Sequence, residues 1–221
     1  MALSLIGLGG CTLTSLDDLG PGATNASSTT GAGTGGASSS AAGQTTGGAG
    51  GTGGSAPLTL EYAAAIADCI YEDTPDPDAC RDYYAKLWVD SAGGPSASQA
   101  THSYLRFDLD DKFDGLRIVD VRLEITVPNE SGCNSGSSGR LWEVMPFIRD
   151  DLFNGLIPAV GMLGEAQGPV ELGEVIAFSL PLHIVSPNGS IYLHIDPSGS
   201  DGVGYFNDMG LTPPKLIITP E

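Results

Sequence analysis

The 165 residues from Pro57 to Glu221 predict an all-β domain, an antiparallel β-sandwich of jelly-roll type. Three observations carry this expectation. Apolar residues recur with period two in short runs, the runs are broken by Gly, Pro, Asn and Asp, and only a short stretch from Tyr62 to Ala67 is compatible with helical periodicity. Roughly eight or more short strands fit into this length, which two packed sheets accommodate.

In chain order, the first element is the segment from Ala63 to Cys69. Its alanines would suit a helix, but the β-branched and aromatic residues that follow favour a first strand. Ala85–Val89 and Tyr104–Leu109 alternate next. Val121–Val127 is the clearest strand: Val121, Leu123, Ile125 and Val127 point to one side, and Arg122, Glu124 and Thr126 to the other. Ile191–Ile195 and Lys215–Thr219 repeat the pattern, and Pro187-Asn188-Gly189-Ser190, between two apolar runs, reads as a hairpin turn.

Ahead of this domain the composition changes. From Gly20 to Ala56 the chain is almost entirely Gly, Ser, Thr and Ala, and no charge occurs between Asp18 and Glu61, so residues 12–56 are expected to be a disordered linker without a core. As a flexible chain, the 37 residues from Gly20 would span roughly 33 Å root-mean-square. Residues 1–11 end in Leu8-Gly9-Gly10-Cys11, which resembles a bacterial lipobox. The resemblance implies a lipoprotein signal segment, lipidation of Cys11 and export, with Thr12 after the cysteine favouring the outer membrane or cell surface. The first positive charge in the chain is Arg81, a departure from the basic start of such signals. Acyl chains would anchor the protein, each buried methylene contributing about 0.8 kcal/mol. The sequons at Asn25, Asn129 and Asn188 are assigned no role.

The formal net charge of −18 sets the chain against phosphate backbones and anionic lipid heads. Nucleic acid is therefore excluded as a partner, and the membrane is reached only through the lipid. The order of ADCIYED (67–73), KLWVD (86–90), SYLRFDL (103–109), IVDVRLEITV (118–127) and GYFND…PPKLIITP (204–220) resembles a DNRLRE-type domain. The resemblance covers about Thr59 to Glu221 and implies a β-sandwich that serves bacterial surface proteins as a non-catalytic module, similar in some members to carbohydrate-binding modules. Two positions depart from the pattern: Phe206-Asn207-Asp208 replaces the usual Ser-Arg-Glu, and Val121 replaces the common Ala.

If Leu87, Val89, Leu105, Phe107, Leu123, Ile125, Leu193 and Ile195 form the core, the opposite face receives Lys86, Trp88, Tyr104, Arg106, Arg122, Glu124, Tyr192 and His194. Aromatic rings stack on the C–H faces of sugars and charged groups bind vicinal hydroxyls, so Trp88, Tyr104, Arg106, Arg122, Tyr192 and His194 are candidate ligand-binding residues for a polysaccharide or other surface polymer. The competing reading is that a second sheet or a loop covers this face. Cys69 and Cys80 are expected to form a disulfide, leaving Cys133 free, paired between chains or exchanged with one of them. Acidic loops at 72–78, 108–114 and 196–201 could hold a structural calcium, with Asp196 and Asp201 as first candidates, or be solvated turns. His102, His183 and His194 lie in separate segments, and no nucleophile elbow or zinc-protease helix is present. Pairs such as Asp150 with Asp151, or Glu143 with Asp150, arise by chance among 27 acidic residues, so no enzyme is expected. The leading expectation is a surface-anchored carbohydrate-binding module. The alternative is a structural or adhesion subunit contacting protein partners through Cys133 or an exposed strand edge.

Overall fold

The computed structural model describes residues 58–81, 85–92 and 99–221. The signal segment, Cys11 and the linker at 12–56 lie outside the described residues. The strands are β1 (Leu60–Ala63), β2 (Ile66–Tyr71), β3 (Lys86–Val89), β4 (Thr101–Asp108), β5 (Ile118–Thr126), β6 (Arg140–Val144), β7 (Ala159–Gly164), β8 (Val175–Ser179), β9 (Ser190–Asp196), β10 (Val203–Phe206) and β11 (Lys215–Pro220). A five-residue helix, α1 (Pro77–Arg81), and 3-10 turns at Arg149–Asn154 and Leu182–Ile184 complete the described elements.

All strand pairs are antiparallel, and they form three sheets ordered β1-β11-β5-β8, β2-β4-β9-β6-β7 and β10-β3. The period-two pattern explains how the two larger sheets meet. Leu105 and Phe107 of β4, Leu141 of β6, and Leu193 and Ile195 of β9 face Val121, Leu123 and Ile125 of β5, Phe178 of β8 and Leu216 of β11 in one buried cluster. This makes the domain a β-sandwich with one shared core. Each fully buried leucine or isoleucine there contributes about 1.5–3 kcal/mol relative to an exposed one. The expected strand over Ala63–Cys69 is two strands, β1 and β2, which enter different sheets.

Local chemistry sets the corners. Gly139 has φ +78°, and a Cβ there would sit 2.8 Å from Ile195 Cγ2, so only glycine lets the chain enter β6 against β9. The turn at 187–190 exists, with Asn188 at φ 54°, but it is not a hairpin connection. The run before it contributes β8, which pairs with β5, whereas β9 pairs with β4 and β6, so the chain crosses between sheets. Turn-forming residues report a reversal, not which strands it joins.

Cys69 and Cys80 form a disulfide with a Cα–Cα distance of 5.5 Å, within the ordinary range. Cys133 is free and fully buried, and burial pushes its thiol pKa up. It packs where Gly204 crosses β3: a Cβ on Gly204 would lie 3.0 Å from the Cys133 sulfur and 3.2 Å from Trp88 Cζ3. A thiol in that position is not presented to a second chain.

Candidate functional site

The outer face of the five-stranded sheet gathers most of the candidate residues. Alternation sends Ile66, Asp68 and Ile70 of β2 to this side, with His102, Tyr104, Arg106 and Asp108 of β4. Tyr192, His194 and Asp196 of β9 join them, with Arg140, Trp142 and Val144 of β6. Strand register aligns Asp68, Tyr104, His194 and Trp142 in one row across four strands. One step along, Ile70 lies opposite His102, and Arg140 opposite Asp196; one step the other way, Ile66, Arg106 and Tyr192 align.

The centre of this face is roofed. Phe147 and Leu152, from the segment after β6, pack with Ile70, Tyr104 and Val144, and Ile157 joins them. Tyr104 is fully buried, meets the Phe147 ring edge-on at 5.8 Å, and its hydroxyl accepts a hydrogen bond from the Ile157 backbone N–H at 3.3 Å. Arg149 fastens the roof by donating to buried Asp68 at 2.8 Å and to Asp78 at 2.6 Å. Of the two expectations for this face, the geometry matches cover by a loop. Tyr104 is part of a second small core, and its burial pushes the phenol up to about 12.

The other expected ligand residues divide among different surroundings. Trp88 lies on β3 in the two-stranded sheet, half-buried against the main core, with the Lys86 ammonium 5.8 Å from its ring centre. Arg122 lies on β5 in the four-stranded sheet and bonds Glu124 at 2.9 Å and Asp120 at 3.2 Å. Trp88 and Arg122 thus belong to other sheets than the one that carries Tyr104, Arg106, Tyr192 and His194, although the Trp88 carbonyl accepts a hydrogen bond from Ser103 of β4 at 2.8 Å. Equal alternation could not distinguish strands of one sheet from strands of three.

Beyond the roof, the face has two polar ends. At one, Arg106 donates to Asp108 at 2.7 Å, Ser190 donates to the same carboxylate at 2.7 Å, and the guanidinium lies 6.0 Å from the Tyr192 ring centre. At the other, His102 Nδ1 is 3.0 Å from His194 Nε2 and 3.5 Å from Asp196 Oδ1. Arg140 donates to the second Asp196 oxygen at 2.8 Å and to the Pro197 carbonyl at 3.2 Å. Desolvation, helped by the neighbouring His102, holds the His194 pKa down at about 3, so this imidazole is neutral near pH 7. Burial opposes ionisation of Asp196, yet its hydrogen bond with His102 and the charge of Arg140 keep its carboxyl below the ordinary range.

The two aspartates singled out for calcium have different partners. Asp201 accepts from the Gly136 N–H at 2.9 Å, and its backbone carbonyl accepts from Ser135 at 2.6 Å, clipping two loops together. Asp196 belongs with the two histidines. Among the described residues, His102, His194 and Asp196 are the one grouping of such side chains with donor atoms all within 4.8 Å of each other. In the sequence the two histidines stand 92 positions apart, in separate segments. The available signal was the strand pattern His194-x-Asp196, which puts both side chains on one face; the pairing of β9 with β4 that adds His102 was not visible.

One further surface adjoins this face. Met145, Ile148, Phe153 and Leu156 are exposed on the roof segment, and Val160 and Met162 are 58% and 46% exposed on β7, the edge strand of the sheet. No family model matches the chain, and neither does any curated protein.

Proposed function

We propose that the domain is a non-catalytic binding module of the cell surface that captures an extended segment of a partner protein along β7. In this reading a lipid on Cys11 and the linker at 12–56 hold the module away from the membrane, and the sandwich is of jelly-roll type. The placement of distant segments side by side, such as β1 with β11 and β4 with β9, supports that topology, as does the resemblance to DNRLRE-type domains.

The observation that carries the reading is the β7 edge. An edge strand offers backbone N–H and C=O groups to an added strand, and exposed Val160 and Met162 offer alternate side-chain contacts. The exposed apolar residues of the adjoining roof extend the contact, and a net charge of −18 favours a basic segment. The test is an array of ten-residue peptides alternating apolar and basic residues, probed with the full chain. Binding accompanied by slowed hydrogen exchange in β7, and lost in Val160→Lys/Met162→Lys, is the expected result. An array on which no peptide binds, or binding unchanged in the double variant, overturns it.

A second reading, polysaccharide binding, is favoured by the polar end at Arg106, Asp108, Ser190 and Tyr192, which combines an aromatic ring with charged and hydroxyl groups. Affinity electrophoresis in polysaccharide gels tests it. Retardation that disappears in Tyr192→Ala would move the contact surface from β7 to this end.

A further inference from the structure

We infer that His102, His194 and Asp196 form a binding site for one divalent transition-metal ion, of which zinc is the type. The site does not depend on the partner-binding reading, since it uses neither β7 nor the roof surface.

The argument begins with the donor set. Two imidazole nitrogens and one carboxylate oxygen suit zinc and its neighbours in the first transition row, whereas calcium and magnesium select shells of oxygen. Geometry follows from the strands. His194 and Asp196 are two residues apart on β9 and project to the same side, and β4 brings His102 between them from the adjacent strand. A tetrahedral ion with bonds of about 2.0–2.1 Å requires ligand atoms about 3.3 Å apart. The two His102 contacts, 3.0 Å to His194 Nε2 and 3.5 Å to Asp196 Oδ1, bracket that spacing, and the three donor atoms all lie within 4.8 Å of one another, so a small side-chain adjustment of Asp196 toward His194 would close the set on the ion.

The surroundings divide the Asp196 carboxylate in a useful way. Arg140 holds Oδ2, which leaves Oδ1 turned toward His102 and fixes the carboxylate's orientation, the role that outer hydrogen bonds play around metal ligands. The rest of the site is enclosed. His102 and His194 are 7% and 8% exposed, and the Tyr104 ring stacks on His194 at 4.7 Å with an interplanar angle of 9°, restricting its rotation. His102 Nε2 has no hydrogen-bond partner in the structure. Binding through Nδ1 places the ring proton on Nε2, so the ion uses the nitrogen that already faces the other two donors. Asp196 is the most exposed of the three, so solvent approaches from its side. Three protein ligands leave a fourth position there for water or for a donor group from a bound ligand.

The experiment is titration of the chelator-treated full chain, without an affinity tag, with zinc alone, followed by calorimetry and by the visible spectrum of the cobalt-substituted protein. One equivalent per chain and a tetrahedral cobalt spectrum are expected, with no response to calcium. A hundredfold excess over Kd should raise the melting midpoint by about 5–10 °C. His102→Ala and Asp196→Asn should each weaken zinc binding at least about tenfold and cut the thermal shift to about half or less. His183→Ala, at the exposed third histidine, should leave both unchanged. Near-ultraviolet circular dichroism of each variant in chelator establishes that it is folded. His102→Gln, which retains a polar side chain of similar reach, stands in if His102→Ala is not. Absence of stoichiometric zinc binding by the folded chain, or binding that survives both His102 and Asp196 substitutions, overturns the site.

Discussion

The two edges of the five-stranded sheet are finished in opposite ways. At β2 the edge is tied down three times: the Cys69–Cys80 disulfide joins it to the loop carrying α1, Arg149 bridges its buried Asp68 to Asp78, and Ile70 is covered by Leu152 and Phe147. At β7 the pairing with β6 shifts register twice and the side chains are mostly exposed, among them Val160 and Met162. Bulges and a short length are common ways to blunt an edge, but apolar exposure works against that protection. The cross-link and buried ion pair thus lie at the β2 edge, whereas β7 leaves apolar side chains facing water.

The largest losses of stability are expected at the β2 edge. Replacing Cys69 and Cys80 together by alanine should cost about 3 kcal/mol, the chain-entropy value for a loop of this length, with the loss read from denaturant unfolding. Arg149→Met is expected to cost about 2 kcal/mol. Removing one partner of a buried carboxylate costs at most about 3–5 kcal/mol, and the one-third exposure of the Arg149 side chain reduces that through solvent screening. The same variant should speed hydrogen exchange at Ile157, whose N–H bonds the Tyr104 hydroxyl under the roof.

A smaller effect is expected at β1, an edge of the four-stranded sheet. The Tyr62 hydroxyl donates to Asp110 at 2.6 Å. Hydrogen bonds from Lys112 and then Tyr62 hold the Asp110 pKa down at about 2, below an ordinary value near 3.8. A carboxyl depressed in the folded state contributes stability above its unfolded pKa and loses it as pH falls through the folded one. Melting midpoints between pH 5 and pH 2 should therefore fall less steeply in Tyr62→Phe than in the parent chain. Smallest of all should be the effect of Val160→Lys/Met162→Lys on stability, within about 0.5 kcal/mol, because both side chains already face water. A larger loss in that variant would mean β7 is a stabilised edge and would erase the contrast.

Much of the sandwich is legible in the sequence. Val121, Leu123 and Ile125 alternate with Arg122 and Glu124, and the first three are buried. β6, β7 and β8 carry no clean alternation in the sequence: Leu141 and Trp142 are adjacent, Ala159–Gly164 contains two glycines, and Val175–Ser179 begins with four successive apolar residues, while α1 is a single turn inside the disulfide loop. The candidate site was legible in parts. Tyr104, Arg106, Tyr192 and His194 share a face, as alternation required, whereas Trp88 and Arg122 obey the same alternation on other sheets.

By itself, the sequence determined the class of structure and, for strands such as β4, β5 and β9, the side that faces the shared core, because period-two burial is a property of a single extended segment and is written into neighbouring residues. Only the tertiary structure decided which strands became neighbours and what covered their outer faces. Pairing β4 with β9 brings His102 within 3.0 Å of His194, a residue 92 positions away, and the roof from 145–158 turns Tyr104 from a surface ring into core. Both are consequences of long-range packing, where the free energy is shared among many distant side chains and no local pattern encodes the partner.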